Sequence, residues 1–212
     1  MKALIIGATG ATGKDLLEVL LQDPAYTEVT IFVRRSSGIL HPKLTETLTG
    51  FDHLETLSVQ IKGDVLFCCL GTTLKAAGSK DNQLHIDHEI PLQFAKMAQN
   101  NGMQSVVLLS AYGASAASRV FYSRIKGMLE EDIAKLGFNQ YIIFRPGLLL
   151  RKNTDRLGER LSAKLLNLLN SIGLLSRFKP LPTGLLAEKL AKAPKVFSSG
   201  SHVVELNEIF SL

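Results

Sequence analysis

The chain has 212 residues, enough for one domain with a full hydrophobic core. Hydrophobic residues make up 46% and charged residues 20%, a globular composition that excludes an intrinsically disordered chain. The net charge of +5 comes from Lys and Arg spread along the chain without a run of five, so no basic stripe marks a nucleic-acid partner.

In chain order, the opening MKALIIGATG is not expected to be a signal peptide, because its apolar run is short and a Gly-rich turn follows at once. Residues 3–6 read as a strand ending in Gly7. Residues 13–22 have helical spacing, with Leu16, Leu17, Val19, Leu20 and Leu21 set against Lys14, Asp15, Glu18 and Gln22, and Pro24 closes the helix. EVTIFVRR at 28–35 reads as a strand, so the chain opens as a βαβ unit. The stretch 44–59 suits a short or edge strand and a weak helix. Residues 63–73 form a continuous apolar run ending in Gly and Thr, as expected of a strand buried on both faces. Next come a helix over 87–100 with Asp87 as its N-cap, a buried strand over 105–113, a helix over 119–136 and a strand over 140–147 cut off by Pro146. This alternation predicts an α/β fold: a doubly wound parallel sheet of the Rossmann type.

Beyond residue 147 the pattern changes. A charged stretch, RKNTDRLGER, leads to a Leu-rich helix at 159–170, a Pro-rich turn at 180–182, a helix at 183–192 and the strand-like SHVVEL. The tail is too short for an independent domain. The expectation is one domain over 1–212, with its core in 1–150 and a small substrate-side cap in 151–212. The Leu-rich helix would cap an apolar pocket, form a homodimer face or simply be core. The greasy stretch 161–175 falls short of the about 18–20 apolar residues of a membrane span, so no membrane partner is expected. Cys68 and Cys69 are strand neighbours that point to opposite faces and are not expected to pair. Without a second CxxC or a His cluster they are no metal site, and they read as small core residues in a reducing cytoplasm.

Two local patterns carry chemistry. GATGATG places Gly7, Gly10 and Gly13 between a strand and a helix, where such spacing is credible. Glycine lets the backbone turn sharply and come close to a pyrophosphate. The helix N-terminus at Ala11 and Thr12 then offers free N–H groups and partial positive charge, and Thr9 and Thr12 add hydroxyls. At the end of the second strand a dinucleotide site that takes NAD usually carries an acidic residue; here the residues are Arg34, Arg35, Ser36 and Ser37. Two guanidinium groups and the two serine hydroxyls could together clamp a 2′-phosphate, which predicts NADP(H) in preference to NAD(H). The bland alternative is a solvated basic pair.

The second pattern is YSRIK. Tyr122 and Lys126 are four apart on one helical face, after a strand that ends in Ser110. A nearby ammonium favours the phenolate and makes Tyr a usable acid, Lys126 can also anchor the cofactor's ribose, and Ser110 can hold a carbonyl oxygen. The alternative is a packing aromatic beside a solvated lysine. His85 and His88 tempt a metal or base reading, but they fit surface residues near a helix start better.

In this order, Gly7, Gly10, Gly13, Ser110, Tyr122 and Lys126 resemble the short-chain dehydrogenase/reductase superfamily. The stretches GATGATG, VRR, FCCLGTT, LLSAYGA, FYSRIKG and FRPGLLL, with a weaker DRLGERL, resemble its atypical group of small oxidoreductases that includes the human Tat-interacting protein. The resemblance implies that Leu70, Gly71 and Thr72 line the ribose and nicotinamide side, and that Arg145, Pro146 and Gly147 form the floor near the nicotinamide. It departs from the pattern at Ala111, where a second Ser is frequent, and at Gly50, where an acidic residue usually meets the adenine, with Asp52 two residues on. The expected function is NADPH-dependent reduction of a small carbonyl substrate with Tyr122 as proton donor. The alternatives are an NADP(H)-binding regulatory module without turnover and a flavin or quinone reductase. A sugar-nucleotide epimerase is not expected, because the 65 residues after Gly147 leave little room for a substrate lobe.

Overall fold

Alternate residues of the first strand enter different cores. Ala3 and Ile5 face one layer of helices, and Leu4 and Ile6 face the other. A strand buried on both faces needs helices on both sides, and the computed structural model, which describes residues 1–51, 53–150 and 179–212, shows that arrangement. β1 (Lys2–Ile6), β2 (Glu28–Val33), β3 (Leu44–Leu48), β4 (Val65–Cys68), β5 (Ser105–Leu109) and β6 (Gln140–Arg145) are joined by β9 (Gly200–Glu205) in one sheet of order β3-β2-β1-β4-β5-β6-β9. Every neighbouring pair is parallel. β7 (Leu149–Leu150) and β8 (Leu181–Pro182) form a separate two-stranded sheet.

Helix α1 (Ala11–Gln22) packs on one face of the sheet against α6 (Thr183–Val196). On the other face lie the 3-10 turn Leu54–Gln60, α4 (Ile90–Asn100) and α5 (Phe121–Ala134). The predicted doubly wound sheet is thus present: the chain winds outward from β1 to β2 and β3, then returns from β3 to place β4 on the other side of β1. That reversal leaves a crevice at the C-terminal ends of β1 and β4.

Two expectations are corrected. Asp87 is not a helix N-cap. The helical stretch begins earlier, with α2 (Leu74–Ala77) capped by Thr73 and α3 (Lys80–Leu84) capped by Ser79, and runs through a π turn (His85–Glu89) into α4. Asp87 therefore sits inside a continuous helix, fully buried. The described end of the tail, residues 179–212, is also not a cap. α6 fills the face beside α1 and β9 extends the sheet at β6, so residues 183–205 complete the core. The Leu-rich helix at 159–170, the DRLGERL stretch and Asp52 lie outside the described residues. A short C-terminal helix, α7 (Glu208–Ser211), closes the chain. Among the described residues no helix is long and apolar enough to cross a membrane.

Candidate functional site

The Gly turn divides its labour among three glycines. Gly7 adopts φ +84°, and a Cβ there would lie 2.6 Å from the backbone of Cys69 and Leu70, so this residue lets the first turn press against the end of β4. A Cβ on Gly13 would lie 2.1 Å from the Gly7 carbonyl oxygen, so this residue lets α1 start directly beneath the turn. Gly10 lines the cleft, where a Cβ would meet only Gly7 O at 3.2 Å. Gly10 N–H donates to Gly7 O, and the first intrahelical bond runs from Lys14 N–H to Gly10 O. The N–H groups of Ala11, Thr12 and Gly13 are thereby left without an intrahelical acceptor. Ala11 and Thr12 line the cleft beside Gly10, whereas Thr9 is exposed outside it.

This cleft, of about 640 Å³, is also lined by Cys69, Leu70, Gly71 and Thr72 from the end of β4 and by Ser110, Tyr122 and Lys126 from β5 and α5. Tyr122 is 39% exposed at its mouth, and Lys126 is 2% exposed in its wall. The Lys126 ammonium donates to Leu70 O at 3.2 Å and to Leu109 O at 3.4 Å, which ties α5 to the C-terminal ends of β4 and β5. Ser110 N–H donates to Phe144 O, while its buried Oγ has no hydrogen-bond partner. The three residues predicted to work together do converge.

Other predicted residues sit elsewhere. Arg34 and Arg35 are exposed just after β2, away from the cleft wall. Arg145 directs its guanidinium at Glu130 of α5, with Nε donating to Oε1 at 3.1 Å and Nη2 to Oε2 at 2.6 Å, and approaches Glu205 at 3.7 Å. Pro146 is buried and accepts from Tyr112 N–H, and Gly147 abuts Leu206. None of Arg145, Pro146 and Gly147 is among the lining residues. Cys69 lines the cleft, whereas Cys68 is core; burial raises both thiols, Cys69 to about 12, so neither is a ready nucleophile. His85 pairs with Glu89 at the surface. His88 is not a surface residue; it is buried and joins the π turn to Asp132 of α5 at 2.9 Å.

Asp87 is the residue that sequence reasoning misplaced. Its Oδ1 accepts the Thr72 N–H at 2.7 Å and so fixes the turn after β4, and its Oδ2 has no partner. The signal was present: Gln83, Asp87, Ile90 and Phe94 fall on one helical stripe, so a carboxylate lies among buried positions. Burial raises the Asp87 carboxyl above the ordinary range, opposed by the Lys126 charge and the Thr72 N–H. The folded state therefore holds this proton more tightly than the unfolded state. Stability falls as pH rises from the ordinary carboxylate range through the raised value. Asn cannot ionise, so Asp87→Asn is expected to gain stability relative to the wild type across that same window. Urea melts at a series of pH values measure this, and a pH-independent difference between the two proteins would contradict it.

A glycine turn against a helix N-terminus, at the switch point of a parallel sheet, defines a dinucleotide-binding Rossmann domain of oxidoreductase-like build. A cofactor of this kind fits: the free amides at Ala11 and Thr12, the absence of a Cβ at Gly10 and the cleft beside them would receive a pyrophosphate. The chain belongs to the NAD(P)H-binding family, whose match covers residues 7–165. It is 35% identical over 188 residues to Protein FMP52, mitochondrial, of Candida albicans, covering 85% of this chain and 82% of that protein. It is 34% identical over 165 residues to Protein HTATIP2 of Rattus norvegicus, covering 76% and 68%. Among solved structures it is similar to MoeE5 in complex with UDP-glucuronic acid and NAD, with TM-score 0.73 and 15% identity over 97% of this chain and 76% of that one, a likeness of fold. The resemblance seen in the motifs is thus borne out. The cytoplasmic expectation is corrected, because the fungal relatives are named mitochondrial. Two neighbouring cysteines that face opposite sides of the sheet cannot pair in any compartment, so they carry no information on location.

Proposed function

We propose that this protein is an NADPH-dependent oxidoreductase that reduces a small carbonyl compound, with Tyr122 as the proton donor. The observation that carries the reading is the convergence of Ser110, Tyr122 and Lys126 on the cleft that also contains the glycine turn. The turn amides at Ala11 and Thr12 would hold the pyrophosphate, Leu70 to Thr72 the inner ribose, and Arg34 with Arg35 the 2′-phosphate. NADPH held by these residues would supply the hydride that reduces the carbonyl carbon. Ser110 Oγ, without a partner inside the protein, donates to the carbonyl oxygen and orients it. Tyr122 gives its hydroxyl proton to that oxygen, so the product is an alcohol. Lys126, one helical turn from Tyr122, is fixed in the cleft wall by two backbone carbonyls. The location proposed follows the fungal relatives: mitochondrial.

NADPH oxidation followed with a panel of aldehydes, ketones, quinones and flavins tests the reading. Tyr122→Phe is expected to lower carbonyl turnover by about 10²–10⁴-fold while NADPH binding stays as in the wild type. Unchanged turnover in the variant would rule Tyr122 out as the acid. Tight NADPH binding with no turnover on any substrate would favour a cofactor-binding regulator instead.

A further inference from the structure

The loop after β2 is built around a carboxylate that the linear sequence hides. The loop directly after β2, residues 34–43, holds no acidic residue, but the parallel pairing sets Glu46 of β3 opposite Ile31 of β2, and its side chain reaches the loop. Ser37 N–H donates to Glu46 Oε2 at 2.8 Å. The polar groups of Ser36 and Ser37 beside it hold this carboxyl below the usual carboxylate range. The Ser36 and Ser37 hydroxyl oxygens accept the N–H groups of Gly38 at 3.2 Å and Ile39 at 3.3 Å. Both serine hydroxyl oxygens are therefore used within the loop, each as acceptor from the backbone two residues on, and Glu46 takes the Ser37 backbone N–H.

This corrects the assignment of all four residues 34–37 to one phosphate clamp. The Ser37 N–H is held by Glu46 and both hydroxyl oxygens accept backbone N–H groups of the loop, whereas Arg34 and Arg35 face solvent without an ion pair among the described residues. The Glu46 carboxylate is engaged by the Ser37 backbone N–H and forms no ion pair with either arginine among the described residues.

We propose that Glu46 is a specificity-determining residue for the cofactor: by accepting the Ser37 N–H it shapes the loop so that Arg34 and Arg35 stay unpaired and available to a 2′-phosphate. This rests on the NADPH reading above. Glu46 acts through the loop and is a positioning residue, not a phosphate ligand. Its effect belongs to cofactors that carry a 2′-phosphate and leaves the rest of the dinucleotide site alone.

Equilibrium binding of NADPH and NADH to the full chain tests this, with adenosine 2′,5′-bisphosphate and adenosine 5′-phosphate as smaller probes of the same end of the site. Glu46→Ala is expected to raise the NADPH dissociation constant by about tenfold or more and that of NADH by less than about twofold, because only the former uses the pre-shaped arginines. Glu46→Gln keeps one acceptor oxygen and should fall between Glu46→Ala and the wild type. The two small probes should repeat the discrimination. Equal weakening of both cofactors, or no weakening of either, overturns the proposal. Should Glu46→Ala fail to fold, Glu46→Gln carries the same comparison. The double variant Arg34→Ala/Arg35→Ala serves as the control: if it does not discriminate between the cofactors, the NADPH reading itself fails. If it discriminates and the Glu46 variants do not, the role of Glu46 alone is wrong.

Discussion

Gly13→Ala is expected to abolish dinucleotide binding and to destabilise the fold by about 1–3 kcal/mol, the usual range for overpacking a tight site. Two effects compete. Ala is a better helix former than Gly by about 1 kcal/mol, and Gly13 lies in the first turn of α1, so propensity alone predicts a gain. The added Cβ, however, would sit 2.1 Å from Gly7 O, 2.8 Å from Gly7 C and 3.0 Å from Ala8 Cα. All three are backbone atoms, so no side chain can swing aside, and the turn must open or α1 must move off the end of β1. Either motion redirects the amides of Ala11 and Thr12, so binding is lost along with stability. Gly7→Ala combines a similar overlap, 2.6 Å from Cys69 C and Leu70 N, with a left-handed φ of +84°, and should be at least as damaging. Gly10→Ala should melt near the wild type, because its single close contact is 3.2 Å, yet lose cofactor affinity by placing a methyl group in the cleft. Urea melts and fluorescence titration with NADPH on the three variants give the ordering. A Gly13→Ala protein that melts like the wild type would refute the backbone argument.

Glu130→Ala and Arg145→Ala carry the second large effect. The Glu130 carboxylate is 5% exposed, lies on the buried stripe of α5 and is met by two donors of one guanidinium, the bidentate geometry that makes such pairs strong. Removing Arg145 leaves that carboxylate buried without its partner, and a loss of about 3–5 kcal/mol is expected. Removing Glu130 should cost less, because the guanidinium is partly solvated and keeps Glu205 within 3.7 Å. Replacing both by apolar residues of similar volume is expected to recover much of the loss, since the desolvation of two charges disappears with them. A double-mutant cycle in urea measures this. The same variants decide what Arg145 is for. If it clamps β6 to α5, Arg145→Ala lowers stability and leaves NADPH affinity in the folded protein unchanged. Weakened NADPH binding with unaltered stability would return the guanidinium to the cofactor.

Much of this architecture was legible in the chain because strands buried on both faces and amphipathic helices leave different periods. β1, α1, β2, β5, α5 and β6 appear within a few residues of their expected positions, and the glycine spacing located the turn. The convergence of Ser110, Tyr122 and Lys126 on one cleft was legible too, as order and spacing on elements whose ends share one side of the sheet. Errors fell where local signals were ambiguous. Asp87 resembles an N-cap in a short window, and only the longer stripe from Gln83 to Phe94 places it inside a helix. The tail reads as an appendage because β9 is half polar; as an edge strand it needs only one neighbour, and the sequence does not say which.

The sequence by itself determined the alternation of elements, the glycine turn and the identity of the groups that meet at the cleft, because each is encoded by residues near one another in the chain. Tertiary structure alone decided which distant charges face each other. Glu46 reaches the Ser36–Ser37 loop only through the pairing of β3 with β2, Arg145 finds Glu130 only because β6 packs beneath α5, and Asp87 meets the turn after β4 only across a helix interface. Electrostatic partners are set by distance in space, and separation along the chain carries no record of it.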